Sequence, residues 1–225
     1  MTCIKERIGM KMKYTIVSTG SKGNAVIIES SVLIDAGVSY KTLEMFTGEL
    51  KTVLLTHIHS DHFNESTVHR IAKEKPLLRF VCGKWMVEPL LKAGVKTLNI
   101  DVVKPLKFYR IGNGFEISPI KLYHDVPNIG YRIYRENEKL LYATDTGHLK
   151  GISAKDYDVY LIEANYEDTE IKQRIQEKVN KGEYAYEMNV IKRHLSKQQA
   201  DEFIFNNAGL KSRVEYLHQH EGLNF

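Results

Sequence analysis

The run Thr56-His57-Ile58-His59-Ser60-Asp61-His62 constrains this chain more than any other stretch. It follows Lys51–Thr56 (KTVLLT), a β-rich segment apolar on both faces, which reads as a buried strand. Residues two apart in an extended chain point to the same side, so His57 and His59 project together from the strand end. The chain then turns, and Asp61 and His62 can face back from the loop. Three imidazoles and a carboxylate within six residues suit zinc or a similar borderline metal. A solvated His-rich turn is the competing explanation. It accounts for a single histidine better than for four ligand-type side chains at one strand end.

Composition bounds the rest. The chain has 225 residues, 43% hydrophobic and 27% charged, which suits one ordinary domain with a real core. Residues 1–11 read as an N-terminal extension, with Met10 and Met12 as alternative starts, and residues 12–225 as a single domain. No apolar run approaches the roughly 18 residues that would span a bilayer, and the N-terminus lacks the apolar stretch of a secretory signal. Two cysteines, Cys3 and Cys82, are too few for a disulfide scaffold and read as reduced bystanders, so a cytoplasmic protein without membrane contact is expected. The net charge of +4 permits polyanionic substrates without demanding them.

Turn residues divide the chain into short elements. Strands are expected at Tyr14–Val17, Ala25–Glu29, Val32–Asp35, Arg79–Val81, Val159–Glu163 and Val214–Leu217, with a strand-rich stretch over about 97–146 turning at Gly112–Gly114 and Glu136–Glu138. Helices are expected at Ser39–Phe46, 64–74, Lys84–Ala93, 167–181 and 184–206, the last interrupted near Arg193–Ser196. The loop Gly20-Ser21-Lys22-Gly23-Asn24 reads as a tight turn whose backbone N–H groups could also hold an anion.

With HxHxDH after a buried strand, the chain resembles the metallo-β-lactamase superfamily, over nearly all of residues 13–220. It is most similar to the YycJ-like and tRNase Z-like phosphodiesterases, and shares with the YycJ-like branch the GSxGN loop, the LIDAG strand end (Leu33–Gly37) and the TDTG segment. The resemblance implies an αββα sandwich of two mixed sheets flanked by helices, with two divalent metal ions at one rim, zinc first and manganese as the alternative. His57 and His59 would hold the first metal with His124, from KLYHD; Asp61 and His62 would hold the second. Asp145, in YATDTG, would bridge them, and His218 would complete the set with His220 as its competitor. Asp35 would orient a ligand imidazole or play an ordinary strand-end part; His69 and His148 read as surface histidines.

Within the superfamily, a bridging Asp145 disfavours β-lactamase activity, and the tail after His218 has no room for a thioesterase's helical substrate domain. Arg193-His194-Leu195-Ser196 resembles the H-x-S/T element of the phosphodiesterases, which makes His194 the acid for the leaving group, held by Glu163, while Ser196 also suits a helix N-cap. The implied activity is hydrolysis of P–O bonds in nucleic acid or nucleotides by a metal-bridged hydroxide, with catalytic His194, Asp61 and Glu163. The spacing between His124 and Asp145 leaves no place for the tRNA-grasping arm of tRNase Z, and Tyr166 replaces a histidine usual in the YycJ branch. A compact cyclic-nucleotide phosphodiesterase of the kind phages use against host signalling is therefore one alternative. A thioesterase or lactonase and a non-enzymatic nucleic-acid-binding module are the others. A homodimer is expected. Tyr123, Tyr131 and Tyr166 are equal candidates to stack a base.

Overall fold

The computed structural model describes residues 11–219. Among them, the strands form two six-stranded sheets. The first contains, in spatial order, β1 (Tyr14–Ser18), β2 (Ala25–Ile28), β3 (Val32–Ile34), β4 (Thr52–Leu54), β5 (Arg79–Cys82) and β6 (Ile100–Val102). Its first three strands are antiparallel and β3 to β6 run parallel. The second sheet runs from β7 (Tyr109–Ile111) through β8 (Phe115–Tyr123), β9 (Pro127–Arg135), β10 (Glu138–Ala143) and β11 (Val159–Glu163) to β12 (Arg213–Leu217). Here β7 to β10 are antiparallel, and β10 to β12 parallel. The helices are α1 (Tyr40–Leu43), α2 (Glu65–Glu74), α3 (Val87–Lys92), α4 (Asp168–Asn180), α5 (Glu187–Arg193) and α6 (Lys197–Asn207).

Side chains alternate across a strand, so a sheet covered on both faces must be apolar at every position. Strand β2 shows this: Val26 and Ile28 face the second sheet, where Ile117, Tyr131, Ile133 and Leu140 meet them. Its neighbours Ala25 and Ile27 face outward to Leu43, Val68, Ile71 and Leu90 of the first three helices. On the second sheet, Leu141, Tyr160 and Ile162 turn outward to Leu195 and to Ala200 and Phe203 of α6. Helices, two mixed sheets and helices again make the αββα sandwich that the sequence implied. Two tyrosines of the second sheet reach across the middle. Tyr131 donates its hydroxyl to the Leu55 carbonyl at 2.6 Å, and Tyr142 approaches Asp35 at 3.4 Å. They tie the second sheet to the ends of β4, which carries the His-rich run, and of its neighbour β3.

Several elements are shorter or more broken than expected, for local reasons. The segment Ser39–Phe46 divides into α1 and a 3-10 turn, Glu44–Phe46, where the Thr47 hydroxyl donates to the Glu44 carbonyl at 2.9 Å and competes for it. Lys84–Ala93 likewise opens with a 3-10 turn, Lys84–Met86. Pro89 lacks the N–H that a longer α-helix would need, and it falls in the first turn of α3, where none is required. The last helical stretch does break, into α5 and α6, with Ser196 capping the second through a reciprocal bond with Gln199. The stretch between His124 and Asp145 consists of β9, β10 and their tight turn. Except for Lys11, the expected extension over residues 1–11 lies outside the described residues. Among the described residues, no helix is long and apolar enough to cross a membrane.

Candidate metal centre

Strands β3, β4, β10, β11 and β12 deliver their C-terminal ends to one rim. Three residues leaving those ends adopt a left-handed backbone: Asp35 (φ 58°), Asp145 (φ 58°) and His218 (φ 51°). Each such residue costs about 1–3 kcal/mol, which has to be offset by what its side chain then reaches. Two glycines let the neighbouring loops close in. A Cβ on Gly37 would overlap the Asp61 carbonyl, and one on Gly147 would overlap the Lys192 carbonyl. Gly37 thus lets the loop after β4 lie against the end of β3, where Ala36 N–H donates to His62 O and Asn24 N–H to Asp61 O. Gly147 lets the end of α5 lie against the turn after β10.

The residues picked out along the sequence converge here. His57 Nε2 and His62 Nε2 lie 3.2 and 2.8 Å from Asp145 Oδ2. Asp145 Oδ1 lies 2.5 Å from His218 Nδ1. His59 Nδ1 is 3.3 Å from His124 Nε2, and the His57 ring lies 4.8 and 5.3 Å from the rings of those two. The side chains group as His57, His59, His124 and Asp145, and as Asp61, His62, Asp145 and His218, with one donor atom of each residue within 4.8 Å of the others in its group. Asp145, the only carboxylate shared by both groups, stands between them. A third group, Asp145, Glu163, His194 and His218, adjoins the second. His220, the competitor of His218, lies outside the described residues.

The atoms that face inward fit divalent cations. His57 Nε2, Asp145 Oδ1 and His218 Nδ1 are buried and have no hydrogen-bond partner among the described residues. The last two are close together without being aligned as donor and acceptor, a juxtaposition that a cation beside them would relieve. His124 Nδ1 sits 3.0 Å from the Arg193 carbonyl, to which it donates, leaving Nε2 a lone pair. His62 Nδ1 lies 2.7 Å from Asp35, again leaving Nε2 to the centre.

Asp35 is fully buried and also accepts from Thr56 N–H at 2.9 Å and from the Thr56 hydroxyl. It therefore holds both the end of β4 and the His62 ring. Glu163, fully buried at the end of β11, accepts from Thr146 N–H at 2.7 Å and Leu195 N–H at 3.1 Å, and its other oxygen lies 3.0 Å from His194 Nδ1. One carboxylate thus fixes the Asp145 turn, the link between α5 and α6, and the His194 imidazole.

The electrostatics divide the histidines. Burial pushes His57 below its usual range and His124 down to about 4, so both are neutral donors. Burial also opposes charge on His62, but Asp145 and Asp35 outweigh it and hold this imidazole well above its usual range. Burial likewise opposes ionisation of Asp145, and His62 and His218 overcome it, keeping the carboxyl well below its usual range. For His194, burial is outweighed by Glu163, then Asp145, and its proton is held more tightly than usual. The pocket's buried carboxylates demand positive charge, which divalent cations would supply.

Sequence reading missed Asp125. Its Oδ1 lies 3.1 Å from His124 Nε2 and 3.4 Å from His59 Nε2, and its Oδ2 pairs with Arg193 Nη1 at 3.0 Å. An aspartate in a hairpin loop is ordinary turn chemistry, and only the fold brings Arg193 beside it. Asn24 is a second surprise: the GSKGN loop buries this side chain 2.8 Å from His62 Nε2, so the loop braces the His-rich turn. His69 is exposed on α2, with its ring against the Ala93 carbonyl.

A two-sheet sandwich with these histidine and aspartate groups at one rim defines a metal-dependent hydrolase of the metallo-β-lactamase type. Residues 30–200 match the beta-lactamase superfamily domain, and the chain belongs to that superfamily. It is 28% identical over 226 residues to exodeoxyribonuclease WalJ of Streptococcus pneumoniae, covering 91% of this chain and 80% of that protein. Exodeoxyribonuclease YycJ of Bacillus anthracis is 25% identical over 174 residues, 70% of this chain and 64% of its own length. Among solved structures, the metallo-β-lactamase-fold protein YhfI of Bacillus subtilis superposes with a TM-score of 0.73 at 16% identity, covering 95% of this chain and 88% of that one. The short form of human tRNase Z gives 0.67 at 14% identity, covering 92% of each chain. These two structural likenesses concern the fold.

Proposed function

We propose that this protein is a dinuclear metal-dependent phosphodiesterase acting on nucleic acid, with DNA ends as the first substrate to test. One observation carries the reading: Asp145 stands between two histidine groups, with the His194–Glu163 pair adjoining the second. The exodeoxyribonuclease names of the two sequence relatives support the choice of DNA.

The first cation would be held by His57, His59 and His124, the second by Asp61, His62 and His218, and Asp145 would join them. Zinc suits the imidazole-rich donors, and manganese is the second choice. Bound cations would supply charge to the non-bridging phosphoryl oxygens and bring the pKa of a water down to about 7. The remaining tasks belong to this chain's own side chains. Asp35 holds the His62 ring so that Nε2 faces inward. Glu163 accepts from His194 Nδ1, which leaves Nε2 to give its proton to the departing alkoxide. Against the effect of burial, charge on Glu163 makes His194 hold its proton more tightly than usual.

The test is hydrolysis of end-labelled single-stranded and duplex DNA, 3′,5′-cyclic nucleotides and a thioester by zinc- or manganese-loaded protein. The proposal expects mononucleotide release from DNA, lost on chelation and in Asp145→Ala. Undiminished cleavage by metal-stripped protein, or turnover of the thioester alone, contradicts it. Turnover of cyclic nucleotides alone would keep the chemistry and replace the substrate.

A further inference from the structure

Of the three tyrosines that the sequence leaves equal as base-stacking candidates, the structure separates one. Tyr131 is fully buried with its hydroxyl on a backbone carbonyl, and Tyr166 is buried, its carbonyl accepting from Lys197 N–H at the start of α6. Tyr123 is 40% exposed. It immediately precedes His124. Its N–H donates to the Thr146 hydroxyl at 3.0 Å, and its carbonyl accepts from Gly147 N–H at 2.8 Å. The ring is therefore mounted on backbone locked to the turn that carries Asp145.

His148 comes three residues after Asp145 and packs against Tyr123 at a tilt, with ring centroids 4.0 Å apart and 32° between the planes. Its Nδ1 has no hydrogen-bond partner among the described residues, so the ring contact, rather than a polar contact at that nitrogen, orients the imidazole. Its carbonyl accepts from the Thr146 hydroxyl at 2.9 Å, which ties this backbone to the same turn. The Lys121 ammonium lies 5.0 Å from the centroid of the Tyr123 ring, on the same side of β8 two residues earlier. Two packed rings and an ammonium thus stand at the end of β8 and the turn after β10, each within three residues along the chain of His124 or Asp145.

That combination matches the two chemical parts of a nucleotide. Every base has a π-face that stacks on an aromatic ring whatever its sequence, and a lysine beside it can leave the ring for a phosphate. We propose that Tyr123 and His148 form a stacking platform for a nucleobase of the substrate strand, with Lys121 taking a neighbouring phosphate. The platform rests on the phosphodiesterase reading above and adds to it a substrate class: single-stranded ends with their bases unpaired. It makes the enzyme tolerant of sequence but intolerant of a missing base.

The experiment compares hydrolysis of one single-stranded oligonucleotide with that of the same strand carrying abasic tetrahydrofuran residues at its end. Wild-type protein should prefer the base-bearing strand in kcat/KM by about five-fold to a hundred-fold, the range that loss of one stacked base gives. Tyr123→Ala should bring that ratio close to one, Tyr123→Phe should keep it, and His148→Ala should lower it part of the way. Metal content, measured on the same samples, reports whether the neighbouring His124 has been disturbed. Equal loss on both strands with the ratio intact is the mark of a merely structural role and overturns the platform. So does a wild-type protein that cleaves both strands equally well. A wild-type protein that cleaves neither strand overturns single-stranded DNA as the substrate, and the platform with it; the panel of duplex DNA and cyclic nucleotides then decides separately whether the phosphodiesterase reading stands.

Discussion

Asp35 never meets the inward-facing atoms of the site, yet it holds His62 Nδ1 at 2.7 Å and two groups of Thr56. Groups that hold a ligand ring from behind typically contribute 10- to 100-fold in metal affinity, so Asp35→Ala should weaken zinc by about that factor in a chelator competition. Unchanged affinity would show that His62 is oriented by the loop alone. Glu163 supplies the second residue-level prediction. Its negative charge raises the His194 pKa. If His194 is the acid, kcat falls as pH rises through that raised value, because the proton is lost. Glu163→Gln removes the main stabiliser of the imidazolium, so the falling limb of the pH profile should move to lower pH. A limb that stays in place, with kcat reduced uniformly, would assign Glu163 to backbone support only.

At the level of elements, the site depends on strand ends being brought closer together than ordinary side chains allow. Gly37 is the clearest case, since any Cβ there overlaps the Asp61 carbonyl. Gly37→Ala should destabilise the protein by about 3 kcal/mol, the upper end for overpacking, and lower metal occupancy at the same time. Gly48 is the control: nothing lies within 4 Å of a Cβ there, and Gly48→Ala should leave the urea midpoint nearly unchanged. Equal midpoints for the two variants would mean that the loop relaxes freely. The cap of α6 belongs to the same argument. The Ser196 hydroxyl accepts from Gln199 N–H at 3.1 Å, and Ser196→Ala should cost about 0.5–2 kcal/mol in thermal or urea melts.

For the molecule as a whole, charge that the pocket lacks should appear as stability when it is supplied. Saturating zinc binds the folded chain in preference to the unfolded one, so at a hundred times its dissociation constant it should add about 2.7 kcal/mol and raise Tm, reversibly on chelation. No shift would mean that the centre is not a cation site. The buried strands were readable in the sequence because a strand covered on both faces is apolar along its length, as at Ala25–Ile28 and Val159–Ile162, whereas their arrangement as a sandwich came from the resemblance. The His-rich run was readable because four of its donors lie in one segment. His124, Asp145 and His218 came from resemblance rather than pattern, since a lone histidine or aspartate after a strand carries no signal of its own. Asp125 and Asn24 were missed because their meaning lies in neighbours supplied by other strands and loops: Arg193 for one, the Asp61–His62 turn for the other. The most direct test of the whole account is anomalous scattering at the zinc edge from crystals of the zinc-loaded protein. Two peaks sharing Asp145 are predicted, one among His57, His59 and His124, the other among Asp61, His62 and His218. A single peak, or peaks away from Asp145, would contradict it.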